Sequence, residues 1–198
     1  MALREIYVWP DPILKSKAKP VGEVDASVRK LCDDLADTMY EARGVGLAAP
    51  QTGALQRVIA IDVDQGSDAE DEEATDARAA KPKAKKGQGL FFLINPVLIL
   101  GEGEHTYSEG CLSIPDEYED VTRFGHIIVE FTGRDGRRRQ LEASNSLMSV
   151  CIQHEMDHLE GKLFVDHVSA LKRELIRRRM KKLKAQRANE AAGNATAL

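Results

Sequence analysis

Apolar residues recur at helical spacing in three stretches of the chain. Val28, Leu31, Leu35 and Met39 form a stripe that predicts a helix over 25–43, with Asp25 or Ser27 as its N-cap. It ends in Gly44-Val45-Gly46, where glycine permits backbone angles and close approaches that other residues resist. Leu147, Val150, Cys151, Ile152, Met156 and Leu159 predict a second helix over 144–159. Its apolar positions wrap much of the circumference, so it is central and buried, and Gly161 ends it. Leu171, Leu175, Ile176, Met180 and Leu183 predict a last helix over 169–188. Strand signals lie between. Arg57 to Val63 is β-branched, and Leu90 to Leu100 is an apolar run broken by Asn95-Pro96. His126 to Phe131 alternates, and Gly133-Arg134-Asp135-Gly136 turns it into a returning strand over 137–142. Residues 1–22, with prolines at 10, 12 and 20, read as extended and turn-rich. Hairpins in place of alternating βαβ units make the fold class α+β, with antiparallel sheets packed around the central helix and a helix at the C-terminal end.

Composition changes this picture at two places. Asp68 to Asp76 is acidic and Arg78 to Lys86 is basic, with alanine as the common apolar residue. Such a segment cannot bury enough surface to offset its ordering entropy, so 65–89 is expected to be a mobile charged insertion. The last residues, 189–198, are rich in Ala and Asn and are expected to fray. The rest of the 198 residues, 1–188, suffices for one domain with a hydrophobic core. With 42% hydrophobic and 30% charged residues, and no apolar run near the roughly 18 residues of a membrane span, the chain reads as globular, with no membrane segment. Its start lacks the pattern of a signal peptide, so a cytoplasmic address is expected, and a monomer. Cys32, Cys111 and Cys151 are odd in number and widely spaced, which does not suggest a disulfide framework.

Chemistry enters with His154-Glu155-Met156-Asp157-His158 inside the second helix. Residues four apart sit one above the other on a helix face, so both imidazoles can reach one ion. Glu155 can lean toward the ion's open position and take a proton there without being a ligand. A hydrolytic site needs a third protein ligand. One protease class uses a histidine six residues after the second, but that position is Phe164. Another uses a glutamate on a following helix, but Glu174 sits among Lys172, Arg173 and Arg177 on a solvated helix. The loop Glu109-Gly110-Cys111-Leu112-Ser113 is the remaining candidate.

Three segments then fall together. Gly44-Val45-Gly46-Leu47-Ala48-Ala49-Pro50-Gln51, Glu109-Gly110-Cys111-Leu112-Ser113 and Gln153-His154-Glu155-Met156-Asp157-His158-Leu159-Glu160-Gly161 resemble the three signature motifs of bacterial peptide deformylases, in the same order. The resemblance runs from about residue 3 to residue 185, broken by the 65–89 segment. It implies that Cys111 completes the ligand set with His154 and His158. It also implies Fe2+ as the preferred ion, with Ni2+, Co2+ or Zn2+ able to occupy the site. A thiolate donates more charge than an imidazole, which makes the ion a milder Lewis acid than one bound by two histidines and a glutamate. The implied reaction is hydrolysis of the N-formyl group of nascent chains that begin with formyl-methionine, releasing formate and a free amine. In that reaction Glu155 moves the protons, and the backbone N–H of Leu112 and the side-chain amide of Gln51 meet the charge growing on the formyl oxygen.

Gly44 and Gly46 allow an extended substrate to pair there as an added strand. The same resemblance suggests Val45, Leu147, Val150 and Cys151 as the apolar pocket for the methionine side chain, with the aliphatic face of His154. Pro50 stiffens the turn before Gln51. Tyr107 stands where many relatives are smaller or aliphatic, and Arg123 is expected to pair with Glu109 or Asp157 behind the ion. Lys172, Arg173, Arg177, Arg178, Arg179, Lys181, Lys182, Lys184 and Arg187 face a single acid, Glu174, on the last helix. That cationic run suits RNA phosphate, so the ribosome is the partner it suggests.

Overall fold

The computed structural model describes residues 2–64 and 89–195, with side chains described as far as Gln186. The insertion expected at 65–89 therefore lies, apart from Gly89, outside the described residues. Helix α1 spans Ala26–Glu41, and Asp25 caps it by accepting a hydrogen bond from the Val28 N–H at 2.9 Å. Strands β1 (Gly46–Ala48), β2 (Val58–Ile61), β3 (Phe91–Glu102), β6 (His126–Thr132) and β7 (Arg138–Ser144) form one antiparallel sheet in the order β1-β2-β3-β6-β7. Strands β4 (His105–Cys111) and β5 (Ile114–Arg123) pair with each other in a separate two-stranded ladder. Helix α2 spans Leu147–Leu159 and α3 spans Ala170–Ala195.

The period of two along β2 explains how the layers stack. Ile59 and Ile61 pack with Cys151, Ile152 and Leu159 of α2, whereas Val58 and Ala60 pack with Val28, Leu31, Leu35 and Met39 of α1. One helix thus covers each face of the sheet, and the strand between them is apolar at every position. A third cluster joins Trp9 and Leu14 to Ile114, Val121, Phe164, Ile176 and Met180, which ties α3 to the β4–β5 ladder.

Several boundaries differ from those the pattern predicts. Asn95-Pro96 does not end the strand but sits in a bulge of β3 between Ile94 and Val97. Asn95 takes a positive φ there, and its side chain exchanges two hydrogen bonds with the Val21 backbone in place of the lost ladder bonds. Ser144 belongs to β7, and α2 starts three residues later with Ser146 and Ser149 in a reciprocal capping box. At its other end Gly161 has φ +70 with its Cα against the Lys15 carbonyl, where a Cβ would lie 2.5 Å from that oxygen. Only glycine meets both demands. Helix α3 runs past the expected Ala188 to Ala195. No helix among the described residues is long and apolar enough to cross a membrane.

Candidate metal centre and active site

A cleft of about 510 Å3 opens between the end of α1, the β4–β5 ladder and α2. Of the residues singled out from sequence, it is lined by Gly44, Val45, Gly46, Gln51, Cys111, Leu112, Leu147, Val150, Cys151, His154 and Glu155. His158 is buried behind it. The metal-binding atoms of Cys111, His154 and His158 all lie within 4.8 Å of one another. Ligand bonds of about 2.0–2.3 Å in a tetrahedron put donor atoms roughly 3.3–3.8 Å apart, and Cys111 Sγ stands 3.3 Å from His158 Nε2. One thiolate with two imidazoles is a donor set suited to Fe2+, Co2+, Ni2+ or Zn2+. The residues present fit such an ion.

The orientation of His154 is fixed from behind. His154 Nδ1 pairs with Glu109 Oε2 at 2.7 Å, which turns Nε2 toward the site. Phe164, which the sequence excludes as a ligand, stacks on the His154 ring at a centroid distance of 6.3 Å. Arg123 then joins both acids that were alternatives for it. Its Nε and Nη2 donate to Glu109, and its Nη1 donates to Asp157 at 2.9 Å. His167 Nε2 meets the same Asp157 oxygen at 2.7 Å, extending the chain to the surface. No spacing rule in the sequence ties His167 to the site.

Glu155 is buried on the cleft side of α2, and its Oε2 has no hydrogen-bond partner among the described residues. Burial pushes its carboxyl up to about 7, into the range where one group can both take and give a proton. Gly46 makes this placement feasible, because a Cβ there would lie 2.6 Å from Glu155 Oε1 and 2.7 Å from Cys151 Sγ. Gln51 is held with equal definition. Its Oε1 accepts the Ala48 N–H at 2.8 Å, so its Nε2 faces Ser113 Oγ at 3.1 Å and Cys111 Sγ at 3.6 Å. Ser113, not singled out from sequence, thereby orients the amide.

Residues 3–174 match the family model described as polypeptide deformylase. The chain belongs to the polypeptide deformylase family. It is 46% identical over 186 residues to the peptide deformylase of Alkalilimnicola ehrlichii, covering 94% of this chain and 93% of the relative. It is also 46% identical over 182 residues to that of Cellvibrio japonicus, covering 92% and 96%. Among solved structures, a peptide deformylase from Legionella pneumophila superposes with a TM-score of 0.78 at 38% identity, covering 94% of this chain and 98% of that one. A peptide deformylase from Ehrlichia chaffeensis in complex with actinonin superposes with a TM-score of 0.78 at 29% identity, covering 92% and 98%. As a peptide deformylase, the chain is a metal-dependent hydrolase that removes formyl groups from nascent peptides. The α+β fold read from the sequence is the fold of these structures.

Proposed function

We propose that Cys111, His154 and His158 hold the ion this deformylase requires, with Fe2+ the native occupant and Ni2+, Co2+ or Zn2+ able to replace it, and that Glu155 moves the protons. The observation that carries this reading is the buried Glu155 carboxylate oxygen, unpartnered among the described residues, beside three converging side-chain atoms able to bind a metal. A divalent ion held there by Cys111, His154 and His158 would supply acidification of water and polarisation of the formyl carbonyl. Glu155 takes the proton of the attacking water and delivers it to the departing amine. Gln51 Nε2 and the Leu112 N–H donate to the formyl oxygen as it gains charge. Gly44 and Gly46 let the peptide lie close to the chain as an added strand, and Val45, Leu147, Val150 and Cys151 receive the methionine side chain. The setting we propose is the cytoplasm, with the protein as a monomer.

The test is formate release from formyl-Met-Ala-Ser by protein loaded with Fe2+ without oxygen, or with Ni2+, alongside elemental analysis. We expect one ion per chain and ion-dependent formate release, with internal peptide bonds left intact. Inactivity with both ions would overturn the assignment.

Helix α3 supports the proposal that the enzyme docks on ribosomal RNA. Arg179 and Lys172 are engaged by Glu117 and Glu119 of β5, while Lys181 and Lys182 make no ion pair among the described residues. Because Ile176 and Met180 of α3 are core residues, charge reversal is a cleaner variant than deletion. Replacing Lys181 and Lys182 with Glu should weaken cosedimentation with ribosomes and make it less steeply salt-dependent; cosedimentation equal to wild type at all salt concentrations would sink the idea.

A further inference from the structure

A short 3-10 turn, Phe164–Asp166, follows α2 and folds back on it. Asp166 closes the turn by accepting the Leu163 N–H at 2.9 Å, and the His167 N–H returns to the Phe164 carbonyl at 3.0 Å. Lys15 and Arg173 pair with the same Asp166 carboxylate, which ties the turn to the N-terminal segment and to α3. Residues three apart eclipse in a 3-10 helix, so Phe164 and His167 emerge on one edge. Residues three apart are also neighbours on an α-helix, so His154 and Asp157 share a face of α2. The two pairs meet. Phe164 stacks on the His154 ring, and His167 Nε2 donates to Asp157 Oδ2 at 2.7 Å. That oxygen also accepts from Arg123 Nη1, so the carboxylate is held from two elements at once, β5 and the turn.

We propose that His167 is a positioning residue for the ion: it fixes Asp157, and through Arg123 and Glu109 it keeps His154 in the orientation that ligation needs. This rests on the assignment of Cys111, His154 and His158 as the ligands. A half-buried carboxylate with one donor can turn toward water, and the guanidinium that braces Glu109 then loses its other anchor. A second donor on the same oxygen prevents that turn. His167 does not line the cleft. With Arg123 and Asp157 it lines a separate cavity of about 450 Å3, so its side chain can be changed without touching the cleft wall.

The experiment follows transfer of Ni2+ to a chelator at neutral pH from wild type, His167→Gln and His167→Leu. A glutamine amide donates a hydrogen bond with similar reach to Nε2, and leucine donates none. With 34% of the His167 side chain exposed, the fold accommodates either replacement. Partners in direct contact with a ligand are worth about 10- to 100-fold in ion affinity; from its greater distance His167→Leu should lose Ni2+ about three- to tenfold faster than wild type, and His167→Gln should stay within about twofold. The visible ligand-field bands of the Co2+-loaded proteins should shift in His167→Leu and not in His167→Gln. In an Asp157→Ala background the route is gone, so adding His167→Leu should change ion loss by less than about twofold. A purely structural role would lower the unfolding midpoint of His167→Leu and leave ion loss and the Co2+ bands unmoved. Equal ion loss from His167→Leu and wild type, His167→Gln as fast as His167→Leu, or an undiminished effect in the Asp157→Ala background overturns the proposal. Wild type that takes up no Ni2+, or His154→Ala that holds it as tightly as wild type, would defeat the ligand assignment, and the role of His167 with it.

Discussion

Glu155→Gln is expected to lower kcat by about a thousandfold or more while leaving the ion in place. General acid–base catalysis by a positioned side chain contributes roughly 10^2- to 10^4-fold, and in the proposed mechanism one carboxylate serves both the attack and the departure of the amine. Glutamine keeps the size and one acceptor oxygen of the native residue, so the close packing against Gly46 is preserved. It cannot accept a proton. The three ligand atoms proposed are those of Cys111, His154 and His158, and none depends on Glu155, so elemental analysis should find the ion retained. Single-turnover formate release resolves the chemical step from binding. A variant that keeps a tenth of wild-type activity would show that another group moves the proton.

The parts of this molecule that were legible in the sequence are those whose physics is local. A four-residue spacing in α2 states that His154 and His158 share a face, and the surrounding apolar positions state that the face is buried. The two-faced burial of β2 is written in its unbroken Val-Ile-Ala-Ile. The hairpin of β6 and β7 follows from its turn residues. Strand β5 carries no such signal, because Ile114 to Arg123 is mostly acidic or polar. Its acids are satisfied from far along the chain, Glu117 by Arg179 and Glu119 by Lys172, and a local pattern cannot encode partners over fifty residues away. The exact start of α2 was hidden for a different reason. Ser144 and Ser146 are equally good caps by type, and only the turn at Asn145, with φ 42, decides between them. In the C-terminal direction, alanine's helix propensity carries α3 through residues that composition alone reads as a tail. The site divides in the same way. Arg123 could be matched to Glu109 or Asp157 by charge, yet its planar fork reaches both at once, which is a statement about geometry that sequence does not contain.

That fork makes Arg123→Met the second large effect. Methionine preserves the stem's volume but strands the buried Glu109 carboxylate and takes one partner from the half-buried Asp157, and removing one member of a buried ionic group costs about 3–5 kcal/mol. The loss should also reach the ion. Glu109 accepts from His154 Nδ1 and is itself held ionised, against its own burial, by His154 and Arg123. Without the guanidinium Glu109 loses one of the two groups that hold it ionised, its support of His154 weakens, and ion affinity should drop about 10- to 100-fold, read as faster loss of Ni2+ to a chelator. Arg123→Lys should rescue little, since a single ammonium cannot span Glu109 and Asp157. The pH dependence carries a separate signature. Burial pushes the Asp157 carboxyl up, but hydrogen bonding to His167 and the Arg123 charge outweigh it and hold it at about 2, below its usual 3.8. A carboxyl lowered by folding adds stability that is present above its unfolded pKa and is lost as pH falls through the folded one. Wild type should therefore lose about 2 kcal/mol from this group between roughly pH 4 and pH 2, and Arg123→Met should lose less, having less to lose. Denaturant melts at pH 7 and pH 2 measure both halves. If Arg123→Met matched wild type in chelator resistance and in the drop between those two pH values, the chain from His154 to His167 would be packing without electrostatic consequence.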